Sequence, residues 1–407
     1  MCVVGVSVAI AGIWGVAEFR RAERIRDLQV ECRQWQSDRN WPKLLMAAKE
    51  WRSIEPQRLE ALVAGGTAAK ELRQVAITAD FLYSLPRKEI DEIPSLSILA
   101  DLQFGPLKRP VLGAQTCRDI LRLDPSAVLD RQKLVFFYAV TAQPAELLMT
   151  IRAGAEQGSD LPEFYIYAFL ADGLRMQNAM ERLQQWMTGR NELLMVAYTL
   201  HAVRNLDGSI PSMNEQKAEA IRRHQKQRDF YLAEVRKMFP DNHQLLVYDL
   251  DQAVQSGTAM SVARLLARAT PAADADFRCW RARGWLFLHV QQYDEARLAF
   301  DEALKLHPLD WRTRYYLADW ARRTGDLSHA ETLHRLAARG KSLEAALLES
   351  PDIRSVSSGH LQRLADFAAD CGDEVIATRL RQQLEAENAQ EDRLDPLRKK
   401  PTKSKLK

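Results

Sequence analysis

From about residue 25 onward, apolar residues recur every three or four positions between short polar breaks, which is the spacing of an amphipathic helix. No run of alternating β-branched residues interrupts the pattern, so it predicts an all-α chain. The breaks divide it into helical pairs over 25–56, 94–125, 128–157, 162–188, 191–239, 243–270, 277–310, a unit from Trp311, and 358–384. The spacing gives about ten pairs in all. Within 191–239 a loop over 205–211 precedes a long polar helix, and 341–357 reads as an irregular insertion.

The strongest unit is 277–310, where Trp280, Gly284, Phe287, Tyr293, Ala296, Phe300, Ala303 and Pro308 hold positions 4, 8, 11, 17, 20, 24, 27 and 32 of 34. Small residues at 8, 20 and 27 let two antiparallel helices, A and B, approach closely. The large residues fill the space toward the next pair, and Pro308 ends helix B because it cannot donate to the hydrogen-bond ladder. From Trp311 the register continues through Leu317, Ala318, Ala321, Ala330 and Ala337, with Gly325-Asp326 as the turn between helices. Trp35, Trp41, Ala48, Trp51 and Pro56 keep it near the start of the chain, and Ala365, Ala368, Gly372-Asp373 and Ala377 near its end. This pattern resembles the tetratricopeptide repeat. The resemblance implies a right-handed superhelix (a solenoid) in which each pair packs only on its neighbours.

Residues 1–24 are read differently. MCVVGVSVAIAGIWGVAEF has no charge before Glu18, about 17 apolar or small residues at the lower limit for crossing a bilayer. Arg20, Arg21, Arg24 and Arg26 follow it, which by the positive-inside rule places the rest of the chain in the cytoplasm. The expectation is a single-pass membrane anchor; the alternative is a cleaved export signal with Gly15-Val16-Ala17 as the small-residue cleavage site. An uncharged N-terminal helix, an arginine pair and then tetratricopeptide-like units is similar in architecture to the bacterial lipopolysaccharide-assembly adaptors. Those end in a cysteine metal module, and this chain has no Cys-x-x-Cys.

The sequence therefore divides into an anchor with a basic flank (1–24), a tetratricopeptide-like solenoid (25–340), a C-terminal helical region that closes it (341–388) and a basic tail (389–407) expected to be disordered.

Composition narrows the function. Lys+Arg 57 against Asp+Glu 54 gives +3, too balanced to mark a nucleic-acid binder. The five cysteines are widely spaced and odd in number, which argues against a disulfide framework or a structural zinc site. No phosphate loop, dinucleotide fingerprint, His-Glu-x-x-His or Gly-x-Ser-x-Gly is present, and no catalytic residue, metal or cofactor is expected.

What such a surface can do is bind. Helix A of each unit lines the inner wall of the superhelix. At its exposed positions the strong unit offers Arg278, Arg281, Trp285 and His289, and the next offers Arg312, Tyr315, Asp319, Arg322 and Arg323, with Tyr316 beside them. Arginine presents a planar donor fork to carboxylates, and aromatic rings give flat anchoring area. These ten residues are the expected groove for an extended, acidic protein segment; the competing reading is that they pack and pair within the chain. A second basic surface comprises Arg222, Arg223, Lys226 and Arg228, with His224, diluted by Glu215, Glu219 and Asp229; it reads as a solvated helix face, with phosphate contact as the alternative. The expected function is a membrane-tethered scaffold or adaptor for partner proteins. A nucleic-acid-associated repeat protein using the tail and the Arg222 helix, and a regulatory subunit of an enzyme, are the alternatives. A small-molecule substrate is not expected.

Overall fold

The structure is a computed structural model that describes residues 2–174, 176, 178–208, 216–349 and 356–394. Among the described residues it is helical throughout, with no strand. Two compact units are present, Met1–Asp130 and Arg131–Lys407.

The first unit holds α1 (Cys2–Ser37), α2 (Trp41–Ile54), α3 (Leu59–Glu71), α4 (Val75–Tyr83), α5 (Ile93–Phe104) and α6 (Pro110–Leu123). Its core is built around Leu28, Leu44, Trp51, Leu62, Phe81, Leu82, Leu96, Leu99 and Ile120. The pair α3–α4 is one that periodicity does not single out, because small residues crowd α3. The structure uses them for close approach: a Cβ at Gly65 would stand 2.2 Å from the Phe81 ring.

The second unit begins within α7 (Val128–Val140) and continues with α8 (Pro144–Gln157), α9 (Pro162–Phe169), α10 (Ala179–Trp186), α11 (Glu192–Gly208) and α12 (Gln216–Met238). Then come α13 (His243–Gln255), α14 (Ala259–Leu266), α15 (Phe277–His289), α16 (Tyr293–Leu306), α17 (Trp311–Arg323) and α18 (Leu327–Leu348). The last two are α19 (Ser358–Asp370) and α20 (Glu374–Leu394). Sequential pairs such as α13–α14, α15–α16, α17–α18 and α19–α20 pack together, and α11, α13, α15 and α17 touch in succession to form one wall. In the strongest unit Gly284 meets the Phe300 ring so closely that a Cβ there would stand 2.5 Å from it, while Ala296, Phe300 and Ala303 are fully buried.

Several boundaries differ from the sequence expectation. Helix α11 runs on through 205–208, and α18 includes 341–348, placed by the sequence in an irregular insertion. Leu343 and Leu347 continue the buried stripe of α18, and no glycine or proline breaks it before Pro351. Helix α20 extends to Leu394, so 389–394 of the expected disordered tail are helical; 395–407 lie outside the described residues. At the other end, α1 is one helix of 36 residues. Among the described residues no helix is long and apolar enough to cross a membrane, and the side chains of 2–15, on which the anchor expectation rests, lie outside the description.

Turns inside several of the pairs share one device, a residue with positive φ. Gly325 (φ 91°) fills this place between α17 and α18, as the sequence predicts. Arg39, Arg73, Lys108, Ala142 and Gln291 fill it elsewhere without glycine.

Candidate functional site

The wall of A-helices in the second unit is organised from its helix starts. Asn242, Asp276 and Asp310 recur at the repeat spacing, and each caps an A-helix by accepting backbone N–H bonds. Such caps satisfy donors that the helix itself cannot use. Two positions on, Gln244, Arg278 and Arg312 form a second row at the same spacing, and the first two touch: Arg278 Nη2 donates to Gln244 Oε1 at 2.7 Å across 34 positions.

The caps also anchor the arginines. Arg278 donates to Asp276 through Nε (3.0 Å) and Nη2 (2.6 Å), and His243 Nε2 lies 3.0 Å from the same carboxylate. Arg281 donates to Asp310 at 2.9 Å and, through Nη2, to Asp172 at 2.7 Å. Asp172 follows α9 and belongs to an earlier part of the unit. Its backbone carbonyl accepts from Arg204 at 3.3 Å, and its carboxylate also lies 3.7 Å from Arg312. Arg312 donates to both oxygens of Glu344, at 2.9 and 3.1 Å, with its guanidinium 4.4 Å above the Trp311 ring.

Electrostatics follow from this packing. Burial works against the Asp172 carboxylate, but Arg281, Arg312 and Arg278 overcome it and hold its pKa far below the ordinary range. Burial likewise opposes charge on Arg281, and Asp172 and Asp310 reverse that and raise it well above the usual value. Asp251 differs: burial and then the charge of Asp172 push its pKa up. Burial and neighbouring Arg278 lower Arg204 to about 10.

The ten groove residues expected from sequence fall into two sets. Arg278, Arg281 and Trp285 are buried, and half-buried Arg312 is engaged by Glu344. Trp285 stacks on exposed His289, ring centres 3.6 Å apart, and His289 Nδ1 donates to the Trp285 carbonyl at 2.9 Å. Tyr316 is half-buried against Phe300. Tyr315, Asp319, Arg322 and Arg323 lie on one face of α17, where i, i+4, i+7 and i+8 coincide. Tyr315, Arg322 and Arg323 are exposed. Asp319 pairs with Arg323 at 2.9 Å and Arg322 at 3.5 Å.

Sequence reasoning missed the carboxylates Asp172, Asp251 and Glu344, and Arg204 and Lys341, which with the second row line a cavity of about 530 Å³. Extending the strong register back by one repeat finds Gln244 and Asp251; no local pattern marks Asp172, Arg204 or Lys341. Of the second basic surface, Arg228 lines this cavity and Arg222, Arg223 and Lys226 are exposed.

No curated protein matches the chain. Residues 277–310, the α15–α16 hairpin that supplies Arg278 and Arg281 to the wall, match the tetratricopeptide repeat family, whose repeats serve in general as protein-interaction scaffolds.

Proposed function

We propose that the chain is a docking scaffold that binds an acidic segment of a partner protein along the exposed stripe of α17, in a binding rather than a catalytic role. The supporting observation is the division of the arginines. Arg278 and Arg281 are consumed by buried carboxylates of their own chain, whereas Arg322 and Arg323 stay at the surface on the same face of α17 as Tyr315, which is 51% exposed. An exposed aromatic side chain with a guanidinium pair two turns further along the same helix face gives an extended peptide both contact area and carboxylate pairing. Asp319 completes the stripe and orients the two arginines.

The test places a photo-crosslinking residue at Tyr315 in the full chain, with a control at Leu298 on α16. The proposal expects a discrete protein adduct at 315, absent at 298 and suppressed by Arg322→Glu with Arg323→Glu. Equal adducts at the two positions would refute it.

The finer part of the proposal is a tether. The uncharged head of α1, followed by Arg20 and Arg21, would hold the helical pairs on the cytoplasmic side of a membrane and raise the effective concentration of anything docked there. Retention of the full chain in the membrane fraction after a carbonate wash is the expected result, and release into the supernatant counts against the tether.

A further inference from the structure

The cavity bounded by α11, α12, α13, α18 and the starts of α15 and α17 has a charge inventory that the protein's own pairing does not balance. Five cations line it (Arg204, Arg228, Arg278, Arg312 and Lys341) against three carboxylates (Asp172, Asp251 and Glu344). Arg278 and Arg312 are matched by Asp276 and Glu344, and Asp172 by Arg281. Among the described residues, Arg204, Arg228 and Lys341 have no carboxylate within ion-pair distance. Arg204 reaches only the Asp172 carbonyl, and Arg228 only Gln252, at 3.4 Å. The remaining Asp251 carboxylate lies 3.8 Å from Arg281, which is already held by two closer partners. Three cations thus face one carboxylate in a partly open recess, with Arg204 and Arg228 half-buried and Lys341 exposed at its edge.

The rest of the lining suits a small molecule. Tyr248 and Trp311 bring ring surfaces, and Gln244, Gln252 and Gln255 bring amides that both donate and accept. The volume, about 530 Å³, falls within the range of small-ligand sites. At Gly173 a Cβ would stand 3.2 Å from Glu344 Oε1, so the chain passes close at this wall and a side chain there would crowd the ion pair.

We propose that this cavity binds a small polyanion carrying two or more negative charges, a phosphate ester or a polycarboxylate. Arg204, Arg228 and Lys341 supply the charge pairing, the glutamines fix orientation, and the rings of Tyr248 and Trp311 border any planar part. The site is separate from the α17 stripe, so it stands or falls independently of peptide docking.

Calorimetric titration of the full chain with pyrophosphate, AMP and citrate at constant ionic strength tests this. AMP and pyrophosphate against citrate separates phosphate from carboxylate sources. Saturable binding of at least one is expected, weakened about tenfold by Arg204→Gln, which removes a charge-assisted partner. Lys341→Gln alters an exposed side chain and should weaken binding without lowering helicity or thermal stability, which keeps the test decisive if Arg204→Gln folds poorly. Asp251→Asn removes the opposing charge and should tighten binding, an effect that a purely structural role for Asp251 does not produce. No saturation below about 1 mM by any of the three, binding unchanged in both cation variants, or binding of a glutamate decapeptide alone would each overturn the proposal.

Discussion

Arg281 on α15 donates to Asp172, 109 positions earlier, at 2.7 Å, while its other terminal nitrogen holds the α17 cap Asp310 at 2.9 Å. One guanidinium therefore links the start of a neighbouring repeat to a segment on the far side of the unit's sequence. It is the nearest cation to both carboxylates, with Arg312 and Arg278 adding to the compensation of Asp172. Arg281→Ala should destabilise the second unit by about 3–5 kcal/mol, the cost of breaking a buried pair from one side. Arg322→Ala, on the exposed face of α17, should stay within about 0.5 kcal/mol of the parent. Urea unfolding followed by circular dichroism distinguishes the two, and equal midpoints would show that Arg281 does not carry this load.

The close approach at Gly284 gives a second prediction. A Cβ at this position would lie 2.5 Å from the buried Phe300 ring. Gly284→Ala should therefore cost about 1–3 kcal/mol through overpacking, despite alanine's better helix propensity. Adding Phe300→Leu, which vacates the contact, should make the alanine less harmful than it is alone. The thermal midpoints of the four chains in this double-mutant cycle give the coupling directly.

These two positions also show what the sequence makes legible. Gly284 and Phe300 are neighbours in one hairpin, so a single 34-residue pattern contains both sides of their contact. Gly325 is readable for the same reason, whereas Ala142 and Gln291 take the same left-handed turn conformation with no glycine to announce it. Arg281 is legible as an inner-wall residue, but its partner Asp172 is not. The Asp172–Arg281 contact is set by how distant helices meet, and no period relates the two. The end of α18 differs from the expected insertion at 341–357, since its stripe continues through Leu343 and Leu347 past Gly340. In the structure Gly340 admits Trp311: a Cβ there would stand 2.4 Å from the Trp311 Cβ.

Acid stability should fall in two stages. Burial lowers His201 to about 4, with Arg204 adding to it, and lowers His307 to about 4 against the opposing pull of Asp310 and Asp172. Arg281 and Arg314 also face His307. Both rings are neutral in the native chain, while the unfolded chain protonates near pH 6.5. Their stabilisation is complete above pH 6.5 and is lost as pH falls toward 4, roughly 2–4 kcal/mol for each. The carboxylates of Asp172 and Asp276 are held below the ordinary range, so their contribution persists above about pH 4 and disappears only below it. Urea midpoints measured from pH 8 to 3 should show both windows, and His307→Phe should flatten the upper one.

Thiol reactivity reports on the same packing. Burial pushes Cys32 to about 11 and Cys279 to about 12, the latter with help from Asp276. A thiol that is both buried and protonated is a poor nucleophile. Brief iodoacetamide treatment at pH 8 should leave Cys32 and Cys279 unmodified in the native chain and alkylate both in urea. Peptide-level mass spectrometry reads each site, and native labelling of Cys279 would contradict the tight α13–α15 packing around it.

The C-terminal pair tests how far the second unit depends on its last helices. Helix α20 packs on α8 and α9, and the carboxylate of Asp160 between them gathers four donors. Arg379 donates to Oδ1 through Nη2 (2.5 Å) and Nε (3.1 Å); Gln383 and Tyr165 donate to Oδ2 at 2.6 and 2.5 Å. Nearby, Arg152 pairs with Asp373 at 2.7 Å, and Arg314 donates to the Cys371 carbonyl at 3.0 Å. Removing the chain from residue 358 onward deletes all the α19–α20 partners at once, while Asp160 keeps the Tyr165 hydroxyl and the nearby charge of Arg131. Amide exchange should then rise first in α8 and α9, whose packing surface is exposed, while α15 and α16 keep their own hairpin core and remain protected. Exchange that rose uniformly across the second unit would mean that it folds as one cooperative block. Exchange unchanged in α8 and α9 would mean that the Asp160 cluster adds nothing to their stability.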